Sequence, residues 1–149
     1  MVELSSYLAQ DRVVDLEAKS KDAVLAELVG VMKSSCDDNV NWDDFELKLR
    51  EREAQSTTAM GMGVAIPHTR LPGLSKLRIA VGRSRQGIEY GAPDGAPAHL
   101  IFLVAVGNDH GEYMKTVARL AWLVRNDGLR TDLLKAADAA ALFQTLSNY

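Results

Sequence analysis

The chain has few of the features that mark secreted, disulfide-bonded or membrane-inserted proteins. Its single cysteine, Cys36, cannot form an internal disulfide, which fits a reducing cytoplasm, and we expect it to be a small, partly buried side chain. The opening stretch MVELSSYLAQ lacks the basic and apolar regions of a secretory signal. The longest apolar run, Leu100 to Val106, is much shorter than the roughly 20 residues that span a bilayer. We therefore expect a cytoplasmic protein, with neither secretion nor membrane insertion.

An excess of charge of one sign is also missing. The chain has 17 basic and 20 acidic residues, a formal net charge of −3, and no long block of like charge. Nucleic-acid-binding proteins present a strongly basic surface, so we do not expect nucleic acid as a partner. The densest basic spot consists of Arg78, Arg83 and Arg85. A solvated strand edge explains these arginines at least as well as a site for a phosphate backbone.

Motifs for the common cofactors and nucleophiles are absent as well. No Gly-Lys-Ser/Thr loop exists, and Gly61 and Gly63 lack the third glycine and the preceding strand of a dinucleotide site. The three histidines contain no close-spaced ligand pair, so no metal site is expected. A hydroxyl from residues 56–58 could be a nucleophile with His68 as its base, but no Gly-x-Ser-x-Gly elbow is present. Serine-type hydrolysis is therefore a weak alternative.

The chain does contain an alternation of helical and strand-like periodicity. Its 149 residues, 47% apolar and 25% charged, predict a single globular domain over residues 1–149. The predicted elements are a helix over 20–35 capped by Ser20, a helix from Asn41 to near Arg52, strands at 63–66, 77–84 and 98–106, a helix over 112–127, and shorter helices from about Leu129 and from Asp138. This order predicts an α/β fold with a single mixed sheet flanked by helices on both faces.

Two of the predicted strands differ in their pattern of apolar residues. In the strand over 77–84, the odd positions 77, 79 and 81 are apolar. The even positions include Arg78, Ala80 and Gly82. This alternation predicts one buried and one solvated face. The strand over 98–106 is apolar at both odd and even positions, which predicts a central strand covered on both faces.

A functional histidine is indicated by the stretch REAQSTTAMGMGVAIPHTR, which runs from Arg52 to Arg70. Pro67 has no N–H and biases Ile66 toward an extended conformation, so the strand's ladder should stop just before His68. The imidazole would then lie at a strand end, facing a cleft. At neutral pH an unprotonated ring nitrogen can act as a nucleophile toward a phosphoryl group. The alternative is that His68 merely caps a strand end and the Thr/Gly stretch is only a loop.

An incoming phosphoryl group also needs hydrogen-bond donors around its oxygens, and this stretch is rich in them. Hydroxyls, arginine side chains and backbone amides next to glycine are suitable groups. The candidates are Ser56, Thr57, Thr58, Thr69, Arg52, Arg70 and the amides near Gly61 and Gly63.

The same stretch resembles the active-site segment of the mannitol/fructose-type enzyme IIA domain of the bacterial phosphoenolpyruvate:sugar phosphotransferase system, including its nitrogen-regulatory branch. The family pattern is Arg-Glu, a Ser/Thr-Gly-rich stretch, then Ala-Ile/Val-Pro-His. Here the corresponding residues are Arg52-Glu53, Thr57-Thr58, Gly61, Gly63 and Ala65-Ile66-Pro67-His68. The resemblance covers essentially the whole chain, including GIEYGAPDGAPAHLIFLVAV and the final LLKAADAAALFQTL.

The resemblance implies both a fold and an activity. Members have a mixed-sheet α/β fold and accept a phosphoryl group from phosphohistidine on the carrier HPr, here onto His68. They pass it to a cysteine of a IIB domain, or regulatory target proteins read the phosphorylation state. Arg52 would help to neutralise the phosphoryl charge, and no metal or other cofactor is implied. The absence of a IIB or membrane domain favours the regulatory branch. A binding module that signals by protein contact, with phosphotransfer slow or lost, is the alternative.

The chain departs from the family pattern at two places. A second histidine usually opens the helix after the central strand, whereas here that place reads Tyr113-Met114. The glycine that usually follows the Ser/Thr is Ala59. The hydroxyl of Tyr113 can form a hydrogen bond but stays neutral at pH 7, unlike an imidazolium. His110 could take the place of the second histidine, or it could be a solvent-exposed loop residue.

Overall fold

The computed structural model describes residues 4–36 and 39–149 as an α/β fold built on one six-stranded sheet. Two short 3-10 helices, Leu4–Ser6 and Gln10–Arg12, precede the first strand. The strands are β1 Val13–Asp15, β2 Ala59–Gly61, β3 Val64–Ala65, β4 His68–Arg70, β5 Arg78–Ile88 and β6 Ala98–Val106. The helices are α1 Lys21–Ser35, α2 Trp42–Gln55, α3 His110–Leu123, α4 Asp127–Lys135 and α5 Ala139–Ser147.

The sheet is mixed, as predicted. Its strand order is β1-β5-β6-β3-β2, and β4 also pairs with β6. β6 is antiparallel to β5 and parallel to β3 and β4, while β1 is parallel to β5. The central position predicted for the strand over 98–106 is therefore confirmed for β6.

Helices cover both faces of the sheet, which confirms the predicted fold class. Apolar side chains of α1 and α2 pack on one face, and those of α3, α4 and α5 pack on the other. Within the described residues, none of the helices has the length and apolar character that crossing a membrane requires. Cys36 is half-buried with a free thiol, as expected.

The predicted helix caps of the first half are confirmed. Ser20 Oγ accepts a hydrogen bond from Ala23 N at 3.3 Å, and Asn41 Oδ1 accepts one from Asp44 N at 3.0 Å. The second helix continues past Arg52 to Gln55. Arg52 therefore lies in the last turn of α2, not at its end.

The second half of the chain differs in where its helices begin. Asp109 caps α3 by accepting from Glu112 N at 3.0 Å, so His110 is the first residue of that helix and not a loop residue. It is exposed, as that alternative expected. α3 ends at Leu123, slightly before the predicted stop at residues 126–128. The short helix predicted from about Leu129 begins at Asp127, where Asn126 Oδ1 caps it by accepting from Leu129 N at 3.1 Å.

The solvated face predicted for β5 is wrong, because Ala80 and Gly82 are buried. The solvated strand edge expected for Arg83 is also wrong, because Arg83 is buried. The Arg83 guanidinium donates to both carboxylate oxygens of Asp15, at 2.7 and 3.0 Å. It also donates to the carbonyl oxygens of Leu133 and Ala136, at 2.9 and 2.7 Å. A buried arginine is tolerated when its donors are satisfied in this way.

The predicted end of the ladder before His68 is confirmed for β3, which ends at Ala65, but a new strand follows at once. The ladder on β6 is interrupted at Ile66–Pro67 but resumes with β4, in which His68 lies opposite Val104. Proline cannot donate, yet its carbonyl oxygen still accepts from Val104 N at 2.9 Å. His68 therefore begins a strand, which fixes its main chain to the centre of the sheet.

Candidate active site

His68 is half-buried, and its imidazole ring is oriented by its own main chain. The ring atom Nδ1 lies 2.8 Å from the carbonyl oxygen of Ile66. A carbonyl oxygen can only accept a hydrogen bond, so Nδ1 carries the proton. In the neutral ring, the lone pair is then on Nε2, which is the nitrogen available for nucleophilic attack.

Arg52 approaches that free nitrogen from the last turn of α2. Its Nη2 atom lies 3.2 Å from His68 Nε2. Because Nε2 accepts, the guanidinium donates to the lone pair on which an incoming phosphorus atom would bond. Arg52 is otherwise exposed to solvent. A guanidinium in this position can turn its donors to phosphoryl oxygens once Nε2 is bonded.

The pKa of His68 lies below its ordinary value of 6.5, chiefly because burial disfavours the imidazolium form. The hydrogen bond to Ile66 raises the pKa, the charge of Arg52 lowers it, and the carboxylate of Glu53 raises it. The net effect keeps the ring neutral at pH 7. The unprotonated Nε2 is thus available without a separate base to deprotonate it.

Two cavities open beside the His68 ring, and Arg52 borders both of them. One has a volume of about 280 Å³ and is lined by Arg52, His68, Thr69, Arg70, Val106, Gly107, Asn108, His110 and Tyr113. The other has a volume of about 340 Å³ and is lined by Arg52, Gln55, Ser56, Thr57, Thr58, Met60, Ile66, His68, Val117 and Ala121. The first cavity is lined by two arginines, an arrangement suited to a dianionic group.

A family comparison agrees with this geometry. The sequence profile of the family described as "Phosphoenolpyruvate-dependent sugar phosphotransferase system, EIIA 2" matches residues 7–149. The chain belongs to this family. The resemblance to mannitol/fructose-type enzyme IIA domains and to their nitrogen-regulatory branch is thereby confirmed.

Relatives of this EIIA domain carry two kinds of name. A nitrogen regulatory protein of Bradyrhizobium diazoefficiens is 35% identical over 89% of this chain and 86% of its own length. The fructose-specific EIIABC component of Bacillus subtilis is 31% identical over 91% of this chain. The match spans only 21% of that larger protein. The crystal structure of the nitrogen regulatory protein IIA-Ntr from Neisseria meningitidis superposes with a TM-score of 0.84, at 29% identity, over 96% of this chain and 98% of that one.

Tyr113 of the EIIA domain lies beside His68. The centroids of the two rings are 5.6 Å apart, with an angle of 39° between their planes. His110, one turn earlier on α3, has its ring centroid 5.7 Å from that of Tyr113. Both residues line the same cavity as His68. The structure therefore brings Tyr113 and His110 into the site together.

The candidate phosphate-binding groups of the EIIA domain separate into those near His68 and those remote from it. Thr69 and Arg70 line the cavity that holds Tyr113. Thr57 and Thr58 line the other cavity, but their hydroxyl protons are already donated, to Tyr90 O at 2.9 Å and to a Glu53 carboxylate oxygen. Ser56 lies in that cavity too. Their roles in binding phosphate stay predictions.

The amides near Gly61 and Gly63 are not brought to His68. They lie in the turn between β2 and β3, where Met62 N donates to Asp94 Oδ2 at 2.9 Å. Val64 is opposite Leu100 on β6, and His68 is opposite Val104. The turn is therefore about 13 Å along the sheet from His68.

Two residues near the site were given no role in the sequence analysis. Asn108 lines the cavity from the loop after β6, and nothing in its local pattern distinguished it from other loop residues. Glu53 is buried beside Arg52. Its signal was present in the sequence, because position 53 lies on the same face of the helix as the buried Leu49, one turn earlier. A carboxylate on a buried helix face needs partners and therefore merits attention.

Proposed function

We propose that this EIIA domain is a phosphoryl carrier that accepts a phosphoryl group on Nε2 of His68 from a phosphohistidine of an HPr-type carrier. It passes the group to a IIB domain or, as a regulatory protein, presents its phosphorylation state to target proteins. The match over residues 7–149 supports treating the chain as one such domain. Family membership and the free thiol of Cys36 support a cytoplasmic location.

The observation that carries this proposal is the divided role of the His68 ring. Nδ1 donates to Ile66 O at 2.8 Å, while Nε2 faces Arg52 at 3.2 Å and borders an open cavity. A histidine that only capped a strand end would have no need of a cation on its free nitrogen. The arrangement leaves one nitrogen held and the other available.

The transfer requires only a nucleophile and charge stabilisation. The lone pair of Nε2 bonds to phosphorus while the N–P bond of the donor breaks, and the electron pair of that bond stays on the donor nitrogen. As the His68 ring becomes more positive, Ile66 O stabilises the Nδ1–H that it already accepts from. Arg52 and Arg70 stabilise the phosphoryl oxygens in the transition state. Tyr113 orients the ring or donates to one of these oxygens.

A regulatory role is favoured over sugar transport by the relatives. The nitrogen regulatory protein of Pseudomonas aeruginosa is 32% identical over 97% of this chain and 94% of its own length. A pure binding module with slow phosphotransfer has the same relatives, but it would not require an unprotonated Nε2 facing an arginine. We therefore propose that this chain is phosphorylated and that its state is read by partner proteins.

The test is to incubate the chain with phosphoenolpyruvate, enzyme I and HPr and to measure its mass. We expect the addition of one phosphoryl group, labile in acid and stable in base. His68→Ala should abolish the addition while the fold is retained, because no other ring has this setting. His99→Ala is the matched control, since the His99 ring bonds to Ser84 O at 2.8 Å, away from the cavity. Continued labelling of the His68→Ala chain would remove the assignment.

A further inference from the structure

Glu53 is a buried carboxylate whose three donor groups come from two other parts of the chain. Its side chain is 3% exposed and lies 3.0 Å from Lys21 Nζ at the start of α1. Thr58 N donates to Glu53 Oε2 at 3.3 Å, and the Thr58 hydroxyl donates to Oε1. Glu53 thus ties the end of α2 to the segment that leads toward His68.

These contacts are part of a closed ring of bonds around the active histidine. Thr58 O accepts from Ile66 N at 3.2 Å, and Ile66 O accepts from His68 Nδ1 at 2.8 Å. His68 Nε2 accepts from Arg52 at 3.2 Å, and Arg52 is joined to Glu53 by a peptide bond. The ring therefore runs from Glu53 through Thr58, Ile66, His68 and Arg52 back to Glu53. Two of its hydrogen bonds fix the His68 ring directly: the bond to Ile66 O at Nδ1 and the bond from Arg52 at Nε2.

We propose that Glu53 is a positioning residue, which through this ring holds the proton of His68 on Nδ1 and keeps the Arg52 guanidinium at Nε2. The inference rests on the proposed function of His68 as the phosphoryl acceptor. Glu53 does not touch the reacting atoms, because its carboxylate is occupied by Thr58 and Lys21.

In this role, both side-chain oxygens of Glu53 must act as hydrogen-bond acceptors. Both carboxylate oxygens accept, and the donors around them are an amide, a hydroxyl and an ammonium group. Glu53→Gln keeps the size of the side chain but replaces one acceptor oxygen by a donor NH2 group. A donor would then face a donor in a buried place, which is costly unless Thr58 moves. Movement of Thr58 carries Ile66 with it and loosens the acceptor that holds the His68 proton.

The first measurement is the tautomer of His68 by 15N NMR of the unphosphorylated chain. In the wild type we expect the proton on Nδ1 alone. In the Glu53→Gln chain we expect a mixture in which part of the population carries the proton on Nε2. The matched control is Asp15→Asn, which neutralises a carboxylate paired with a buried arginine, Arg83, far from His68 on β1. The control should keep the wild-type tautomer.

The second measurement is the rate of phosphoryl transfer from phospho-HPr. We expect Glu53→Gln to lower kcat by about 10- to 100-fold, the range expected when a reacting group is misplaced by a fraction of an ångström to one ångström. KM should stay the same, because Glu53 is buried and cannot itself contact HPr. Asp15→Asn should leave both constants unchanged.

Several results would overturn the inference. If Glu53→Gln keeps the wild-type tautomer and kcat, Glu53 is a purely structural residue. If Asp15→Asn lowers kcat as much as Glu53→Gln does, the loss comes from general destabilisation. If Glu53→Gln does not fold, Thr58→Val weakens the ring by removing the hydroxyl, one of the two donors that Thr58 offers to Glu53. It should shift the tautomer in the same direction, with rescue by Thr58→Ser, and no shift would refute the ring. Failure of the wild type to accept phosphate would refute the proposed function alone, because the tautomer measurement needs no phosphate.

Discussion

The proton of His68 is held by a carbonyl group only two residues away along the chain. The bond from Nδ1 to Ile66 O is local, so the stretch around Pro67 is enough to predict a functional histidine. The position of Arg52 is less local, because α2 must end beside β4 for the guanidinium to reach Nε2. The sequence predicts the types of group at this site, whereas the choice of nitrogen depends on the folded chain.

The ionisation of His68 gives a prediction with a definite sign. Burial lowers its pKa, and the charge of Arg52 lowers it further, so its NMR titration midpoint should lie below 6.5. The neutral ring is the nucleophile, so the transfer rate should stay constant from pH 8 to below 6.5 and fall only at lower pH. Arg52→Gln should raise the midpoint, whereas Arg52→Lys should preserve it and slow the transfer, because lysine lacks the planar fork. A midpoint above 6.5 in the wild type would contradict this account.

Tyr113 should influence how favourably His68 holds phosphate. Its ring lies 5.6 Å from the His68 ring, but its hydroxyl has no charge at pH 7. A neutral hydrogen bond contributes about 1 kcal/mol, against roughly 1.5–3 kcal/mol for a charged donor. Tyr113→His should therefore shift the exchange equilibrium with HPr toward the phosphorylated chain by up to about tenfold, most clearly below pH 7. Tyr113→Phe should shift this equilibrium toward the unphosphorylated chain. If both Tyr113→His and Tyr113→Phe match the wild type from about pH 6 to 8, Tyr113 is a packing residue.

At the scale of elements, the strands and helices were predicted where their pattern is local. The caps at Ser20 and Asn41 lie within three residues of their partners and were read directly from the sequence. The burial of Arg83 on β5 was not predicted, because its partners include Asp15, 68 residues away, and the carbonyl group of Leu133, 50 residues away. From sequence alone, an arginine on a strand is predicted to face solvent, because the distant partners that would satisfy it in the interior cannot be identified.

Close packing on β5 can be tested at Gly82. A Cβ atom on this residue would lie 2.7 Å from Leu16 Cδ2 and 2.8 Å from its Cγ. Gly82→Ala should reduce the free energy of unfolding by about 1–3 kcal/mol through overpacking. In a Leu16→Ala background, denaturant unfolding should show a much smaller loss, because the obstructing atoms are gone. Equal losses in both backgrounds would show that Leu16 is not the obstacle.

The control for this experiment is Gly30, in the middle of α1. A Cβ atom there would have no neighbour within 4 Å, apart from the helix's own backbone. Gly30→Ala should therefore stabilise the protein by about 0.5–1 kcal/mol, the usual gain for alanine over glycine in a helix.

For the whole molecule, Arg83 connects parts that are far apart in sequence. It joins β5 to β1 through Asp15 and to the end of α4 through two carbonyl oxygens. The Arg83 side chain is 0% exposed and that of Asp15 is 40% exposed. We therefore expect its contribution to the free energy of unfolding to be smaller than that of a fully buried salt bridge and larger than that of a surface one.

The stability of this pair should depend on pH. The hydrogen bond from Arg83 holds the pKa of Asp15 below its ordinary value of 3.8. Its contribution is therefore complete above that pH and lost as the pH falls through the lower pKa of the folded chain. Asp15→Asn should lower the free energy of unfolding by about 2 kcal/mol at pH 7, less than the 3–5 kcal/mol of a fully buried pair.

Chemical denaturation at several pH values measures this effect, and the difference between Asp15→Asn and wild type should vanish at low pH. Glu46→Gln is the control, because Glu46 forms a partly exposed pair with Arg50 within α2 at 3.1 Å. Its loss should be only about 0.3–0.5 kcal/mol. A pH-independent difference for Asp15→Asn would show that the carboxylate acts by its shape and not by its charge.

The strand that carries His68 has a consequence for the behaviour of the protein in concentrated solution. Among the described residues β4 pairs with β6 alone, so its other side is an edge of the sheet. Exposed edge strands invite pairing with strands of other molecules, which leads to aggregation. β4 has only three residues and ends with the exposed Arg70, and a short edge strand with a charged side chain is a poor template for such pairing. The sheet can therefore carry His68 on an edge, beside an open cavity, while a second backbone is kept from adding to it.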